Sequence, residues 1–413
     1  AILRTSGVVQ SQEAFQNVFF VDGFKDNYSY LDLSAGDVND WATDVTAGTL
    51  PQGTVNTTQG CRILALYRGR PVMAGLPEDP HNWFMGRSGD AFDWDYSPPT
   101  TDALMPVAGN NADAGKLEDI ISALIPYQDD LLFMGGDHSF WVMRGDPAAG
   151  GQIDNVSRQI GIVGSLAYAW DPFGTLFWMA QNGLYRFSPN SAQPELVSKG
   201  RLDKTFGNID LAVSNVLLSY DRDAQGLHIY ISPVTEPASA SRHWFWDART
   251  DSFWPDEFPI VLGPTALHVY DADDPDDRAM WLGGYDGYVR FMDKTALNDD
   301  TTAIDSFFSF PIFHPGSPTR QFQLNECLVN TDADGGASTA LSIFRGHTPE
   351  EVAVETIAIF TKTLAAGRNL PIPKRIRGNA LRFMLRNQAA GETWAYENGS
   401  AKFVSAGRMR AGL

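Results

Sequence analysis

The feature that most constrains this chain is a short aromatic hairpin that recurs along it. The stretch "FWMAQNGLYRF", residues 177–187, sets four aromatic rings around one Gln-Asn-Gly. Two strands rich in large apolar residues, meeting at Asn182-Gly183, carry the strongest short-range signal for a β-hairpin. Related stretches begin at Phe19 ("FFVDGFKDNYSYLDL"), Trp83 ("WFMGRSGDAFDWDY"), Leu132 ("LFMGGDHSFWVMRG"), Trp244 ("WFWDARTDSFWPD") and Trp281 ("WLGGYDGYVRFMD"). The six starts lie 37 to 67 residues apart, with a mean near 52. That spacing is close to the roughly 40–50 residues of a four-stranded propeller blade.

A further strand pair precedes most copies, as in "CRILALYRGRPVMAG" at 61–75 and "NVLLSYDRDAQGLHIYIS" at 215–232. A single such sheet has two apolar faces and cannot hide both. Stacking copies around an axis buries the faces and leaves only short edges. The expected fold class is therefore all-β: a β-propeller of about six blades over residues 1–300. In that arrangement Trp178 and Tyr185 pack between blades and line no ligand pocket.

After Asp300 the aromatic hairpin stops, and strands such as "RQFQLNECLVN", "STALSIFRG" and "NALRFMLRN" continue without it. They predict a second domain, a C-terminal β-sandwich over 301–413. Within it "HTPEEV" offers Thr348 as an N-cap and Pro349 at the first helical position, enough for about one turn of helix. "SKGRLDKTFGNIDLAVSNV", residues 198–216, is the other candidate helix.

Charge divides the functional classes. The net charge is −19, which opposes a binder that must neutralise phosphates in order to read nucleic acid. The distribution is uneven: residues 362–413 hold ten Lys/Arg against two Asp/Glu, a surplus of +8, and leave −27 to the rest. In "PKRIRGNALRFMLRN", strand alternation puts Arg382, Met384 and Arg386 on one face and Leu381, Phe383 and Leu385 on the other. Arg375, Arg377, Arg382 and Arg386 are the candidate binding residues, either an ordinary solvated sheet face or a basic surface that docks onto an acidic neighbouring copy.

Motifs for chemistry are few. No GxxxxGK[ST], GxGxxG, HExxH, CxxC or GxSxG occurs, and the seven histidines are dispersed, so no catalytic residue, metal ligand or cofactor is expected. "SGDAFDW" (Ser88, Asp90, Trp94) is near an Asp-box, yet Phe92 holds the glycine position. The acidic run Asp271–Asp277 lacks the Gly and Glu of a calcium loop and reads as a solvated turn. Cys61 and Cys327, far apart in the chain, read as two buried thiols. The start "AILRTSGVVQ" shows no signal peptide, and no run approaches 18 apolar residues, so a soluble chain without a membrane segment is expected.

The order of phrases "YRGRPVMAG…NWFMGRSGDAFDW", "LIPYQDDLLFMGGDHSFWVMRG" and "SRQIGIVGSLAYAWDPFGTLFWMAQNGLYRFSP" resembles the propeller-bearing tail hub, nozzle and packaged-DNA-stabilisation proteins of short-tailed bacteriophages. The likeness covers about residues 60–300, and "GNALRFMLRN…TWAYENGSAKFVSAGRMR" is similar to the sandwich end of such proteins. The resemblance implies a non-enzymatic virion component. It would form a ring, usually a hexamer, below portal and adaptor proteins, with packaged DNA passing through unread. This chain is much shorter than the larger nozzle proteins. A net acidic wall fits a channel that contains DNA without gripping it. The alternative is a glycan-binding or glycan-cleaving propeller of a tail fibre, which calls for carboxylates and aromatics converging on the axial face.

Overall fold

In the computed structural model, residues 8–97, 102–189, 193–275, 278–293, 295–316 and 320–408 are described. The chain divides into two compact units, Ala1–Met292 and Asp293–Leu413.

The first unit is a β-propeller of six antiparallel sheets that follow one another along the chain. Blades 1 to 5, spanning residues 10–40, 63–108, 121–157, 168–196 and 214–257, have four strands each, and blade 6, residues 266–291, has three. Strand order follows chain order in every blade, as expected when each strand turns back on its predecessor through a short loop. Apolar clusters bind the blades in sequence: Phe19 and Trp41 of the first blade region with Leu64 and Met73 of the second, Ile63 and Met85 with Leu132 and Met134 of the third, and Phe133 with Trp178 and Ile229 of the third to fifth. A smaller cluster of Leu217, Tyr230, Met280 and Leu282 joins blade 5 to blade 6.

The "FWMAQNGLYRF" hairpin forms strands two and three of blade 4, Leu176–Ala180 and Gly183–Phe187. Trp178 is fully buried, lies parallel to Phe140 of blade 3 at 4.6 Å between ring centroids and 6° between planes, and stacks on Tyr185 at 5.8 Å. Its indole N–H donates to the Gly161 carbonyl at 3.0 Å, so the ring's polar edge is also satisfied. Trp178 and Tyr185 are packing, as the sequence suggested, whereas Trp254, Tyr288 and Phe291 of the later copies are exposed.

Two details differ from the sequence reading. Ala180 pairs with Gly183, so the turn residues are Gln181 and Asn182 and glycine opens the following strand. The glycine is needed for close approach: a Cβ at Gly183 would lie 2.3 Å from Ser198 Oγ, and its φ of +144° disfavours any side chain. The six copies are also not equivalent. Those at Phe19, Leu132, Phe177 and Trp281 supply strands two and three of their blades, while the Trp244 copy supplies strands three and four. The Trp83 copy is no hairpin, because Trp83–Met85 pairs with Arg70–Ala74 and Val107–Ala108, and Asp93–Trp94 pairs in parallel with Ala47–Gly48.

The second unit is a β-sandwich. One sheet orders Ser306–Ser309, Ala380–Asn387, Ala340–Gly346 and Phe360–Thr363; the other orders Ile372–Gly378, Arg320–Thr331 and Tyr396–Arg408. Their inner faces close on Leu324, Cys327 and Val329 from one side and Leu341, Ile343, Leu381, Phe383 and Leu385 from the other. The helix at Pro349–Val354 starts where expected, with Thr348 Oγ1 accepting the Glu351 N–H at 3.2 Å, and runs six residues. The candidate helix of 198–216 shrinks to Asp203–Phe206, since the β-branched and apolar residues from Ser214 onward are taken up by the first strand of blade 5.

Candidate functional site: an axial pocket and a divided set of arginines

In a propeller, the entry ends of the innermost strands and the turns between strands two and three converge near the axis. Here they surround a pocket of about 460 Å³. Its polar lining includes Asp22, Arg62, Ser122, Asp137, Gln181 and Asn215, drawn from blades 1 to 5. Gln10 ties three blades together beside it: its Oε1 accepts the Leu64 N–H at 2.8 Å and its Nε2 donates to the Ser165 carbonyl at 3.4 Å. Asp22 accepts the Phe24 N–H at 3.0 Å and Asn27 Nδ2 at 2.6 Å, and Asp137 accepts Ser122 Oγ at 2.7 Å. Asp22 thus fixes its own turn, and Asp137 ties its turn to the first strand of blade 3.

The rest of the wall is aliphatic or small, including Val8, Ile63, Ile162, Val163, Leu166, Leu211 and Val216, and among the described residues no aromatic ring, histidine, cysteine or lysine lines the pocket. The arrangement offers hydrogen bonds of both polarities to a small polar ligand or to water. Among the described residues it presents no aromatic ring platform.

The four candidate arginines fall on two different sheets of the sandwich. Arg375 and Arg377 are exposed on Ile372–Gly378, where Arg377 Nε donates to Gln323 Oε1 at 3.1 Å. Arg382 and Arg386 stand on Ala380–Asn387 in the other sheet, with the inward alternation Leu381, Phe383 and Leu385 buried between them as expected. Arg386 is held by a two-point pair with Asp305, whose carboxyl lies below its ordinary range because of that pairing. Arg382 lies 4.3 Å over the Phe344 ring and donates to the Glu355 carbonyl at 2.6 Å. The four therefore form no single patch, and two are committed to structure within the domain. The fold of the chain into two facing sheets, which strand alternation alone cannot reveal, separates them.

Other sequence features prove structural. Asp90 accepts the Phe92 N–H at 2.8 Å, the buried Trp94 donates to the Ala91 carbonyl at 2.8 Å, and Trp41 donates to that same carbonyl at 3.0 Å, so the "SGDAFDW" turn is held from within and from blade 1. Asp271 pairs with Arg222 and Arg278, while Asp276 and Asp277 of the acidic run lie outside the described residues. Cys61 and Cys327 are free and buried, and burial pushes their thiols up to about 12 and about 11. Among the described residues no group of three or more His, Cys, Asp or Glu is placed to hold a metal ion, and no helix is long and apolar enough to cross a membrane.

No family model matches the chain, and no curated protein matches it. Among solved structures it is similar to the extracellular domain of a putative one-component system from B. thetaiotaomicron, at 11% identity and a TM-score of 0.44, covering 71% of this chain and 33% of that one. It is also similar to PorZ of the Porphyromonas gingivalis type-IX secretion system, at 14% identity and a TM-score of 0.35, covering 70% of this chain and 32% of that one. A third is an ancestral GH74 enzyme, at 9% identity and a TM-score of 0.38, covering 68% and 36%. The chain spans about a third of the length of each of these proteins.

Proposed function

We propose that this chain is a structural, non-enzymatic component of a bacteriophage tail, a ring subunit that lines or closes the DNA exit channel below portal and adaptor. The observation that carries the reading is the division of charge between the two units. Residues 1–292 hold 38 of the 50 Asp/Glu and 18 of the 31 Lys/Arg, whereas residues 293–413 hold 12 and 13. A net charge of −20 on the propeller residues, against a nearly neutral sandwich, supports a wall that repels phosphate and lets duplex DNA slide, with docking assigned to other surfaces. The sequence likeness to tail hub and nozzle proteins points the same way, as does an axial pocket whose carboxylates are engaged within their own blades.

The test is a mass-spectrometric inventory of purified particles combined with light scattering of the isolated chain. The expected result is the chain in virions at a fixed stoichiometry, and a ring-sized species alone or with portal and adaptor proteins. A monodisperse monomer that binds neither and is missing from particles would overturn the reading.

A further inference from the structure

We infer that a groove at the junction of blades 4 and 5, on the end of the blades opposite the axial pocket, is a binding site for a neutral saccharide. The groove encloses about 430 Å³, within the roughly 300–1,000 Å³ of ligand pockets. It lies where the turn between strands one and two of blade 4 (Asp171 to Thr175), the end of strand three (Arg186 to Ser188) and the start of strand four (Gln193, Glu195) face Tyr220 and Ala248 of blade 5.

One wall is aromatic and rigid. Buried Phe177 and Trp246 form the base, at 5.2 Å between centroids. Tyr220, partly exposed, is stacked on Phe177 at 6.4 Å and 25°, so its ring is backed from behind. Phe173 stands at the groove's edge with 89% of its surface exposed. Its turn is fixed by Asp171 Oδ1, which accepts the Phe173 N–H at 2.9 Å and the Thr175 N–H at 2.7 Å. A preset turn therefore holds a large ring in water.

Beside Phe177, on the same face of blade 4, is a planar polar pair. Arg186 Nε and Nη2 both approach Glu195 Oε2, at 2.9 and 2.8 Å. Glu195 Oε1 and Arg186 Nη1 have no partner among the described residues, and the Gln193 amide is adjacent and exposed. A pyranose matches both sides: its C–H face packs on a ring, and its neighbouring hydroxyls donate to a carboxylate oxygen and accept from a guanidinium or amide. With one arginine against Asp171 and Glu195, the groove carries no excess positive charge to attract an anionic polymer. This site is independent of the tail role, and it differs from an axial glycan site because the axial pocket has no rings.

The experiment uses the full chain on an array of immobilised neutral oligosaccharides built from glucose, galactose, mannose and N-acetylhexosamines, with Phe173→Ala and Glu195→Gln alongside. Both positions are exposed, so the variants are expected to melt with the parent. The expected result is binding to at least one glycan, weakened about tenfold or more by each substitution, since one removes the exposed ring and the other the charged acceptor. Absence of binding to every glycan, or binding that neither substitution changes, would overturn the inference. So would loss in the Phe173→Ala variant of a protein–protein contact in a chain that binds no sugar, which would make the groove a docking site for a protein.

Discussion

Single side chains hold loops that the repeat pattern cannot specify. Arg70 is fully buried at the start of the second strand of blade 2. Its guanidinium forms a two-point pair with Asp146 at 3.1 and 3.0 Å and donates to the carbonyls of Gly86, Ala103, Leu104 and Met105. Removing it leaves Asp146 without its cation and several carbonyls without their donor, so Arg70→Ala is expected to cost about 3–5 kcal/mol in urea unfolding. His243 makes a second residue-scale prediction. It is buried, its Nδ1 accepts the Ile231 N–H at 3.0 Å, and burial pushes the imidazole down to about 4 from an ordinary 6.5. The native state keeps it neutral while the unfolded chain takes up a proton below pH 6.5. Stability therefore falls as pH drops from 6.5 towards 4, by about 3 kcal/mol at most from this group. Asp256, paired across the strands with His243, is shifted up by burial and works in the opposite direction, so the comparison must be between parent and variant. His243→Gln, which retains an acceptor, is expected to flatten the parent's loss of stability between pH 6.5 and 4 in denaturant titrations; an unchanged slope would remove the histidine from the explanation.

At the scale of elements, the aromatic hairpin was the legible unit, and its meaning carried over. Trp178 on Phe140 is a blade-to-blade contact, and Trp178→Ala is expected to cost about 3–5 kcal/mol, read as a fall in the urea midpoint. A cost near zero would mean the blades do not rely on it. Where the sequence reading went astray, a neighbour outside the hairpin decided the matter. Ser198 imposes the glycine at 183, and Ala47–Gly48 captures Asp93–Trp94, so the second aromatic copy does not close on itself. The sandwich strands show the same division. Alternation correctly set Leu381, Phe383 and Leu385 inward, yet nothing local in "PKRIRGNALRF" says that the chain crosses from one sheet to the other near Asn379.

For the whole molecule, each unit has a core of its own. The sandwich closes on Phe322, Leu324, Leu341, Ile343, Leu381, Phe383 and Leu385, all from residues after 293. A fragment of residues 293–413 is expected to fold alone, with a cooperative melt followed by circular dichroism; a broad, non-cooperative transition would show that it depends on the propeller. The sequence by itself determined the class of fold, because a hairpin with two apolar faces repeated at blade spacing has few ways to bury them. It also determined the acidic bias of the propeller and the inward faces of the strands, since composition and period-two alternation are local properties. Only the tertiary structure decided which side chains meet: it split the arginines between two sheets, left the axial pocket without rings, and gathered Phe173, Arg186, Glu195 and Tyr220 into one groove. Those juxtapositions depend on how separate blades and sheets stack, and contacts between residues tens of positions apart leave no periodic trace in the chain.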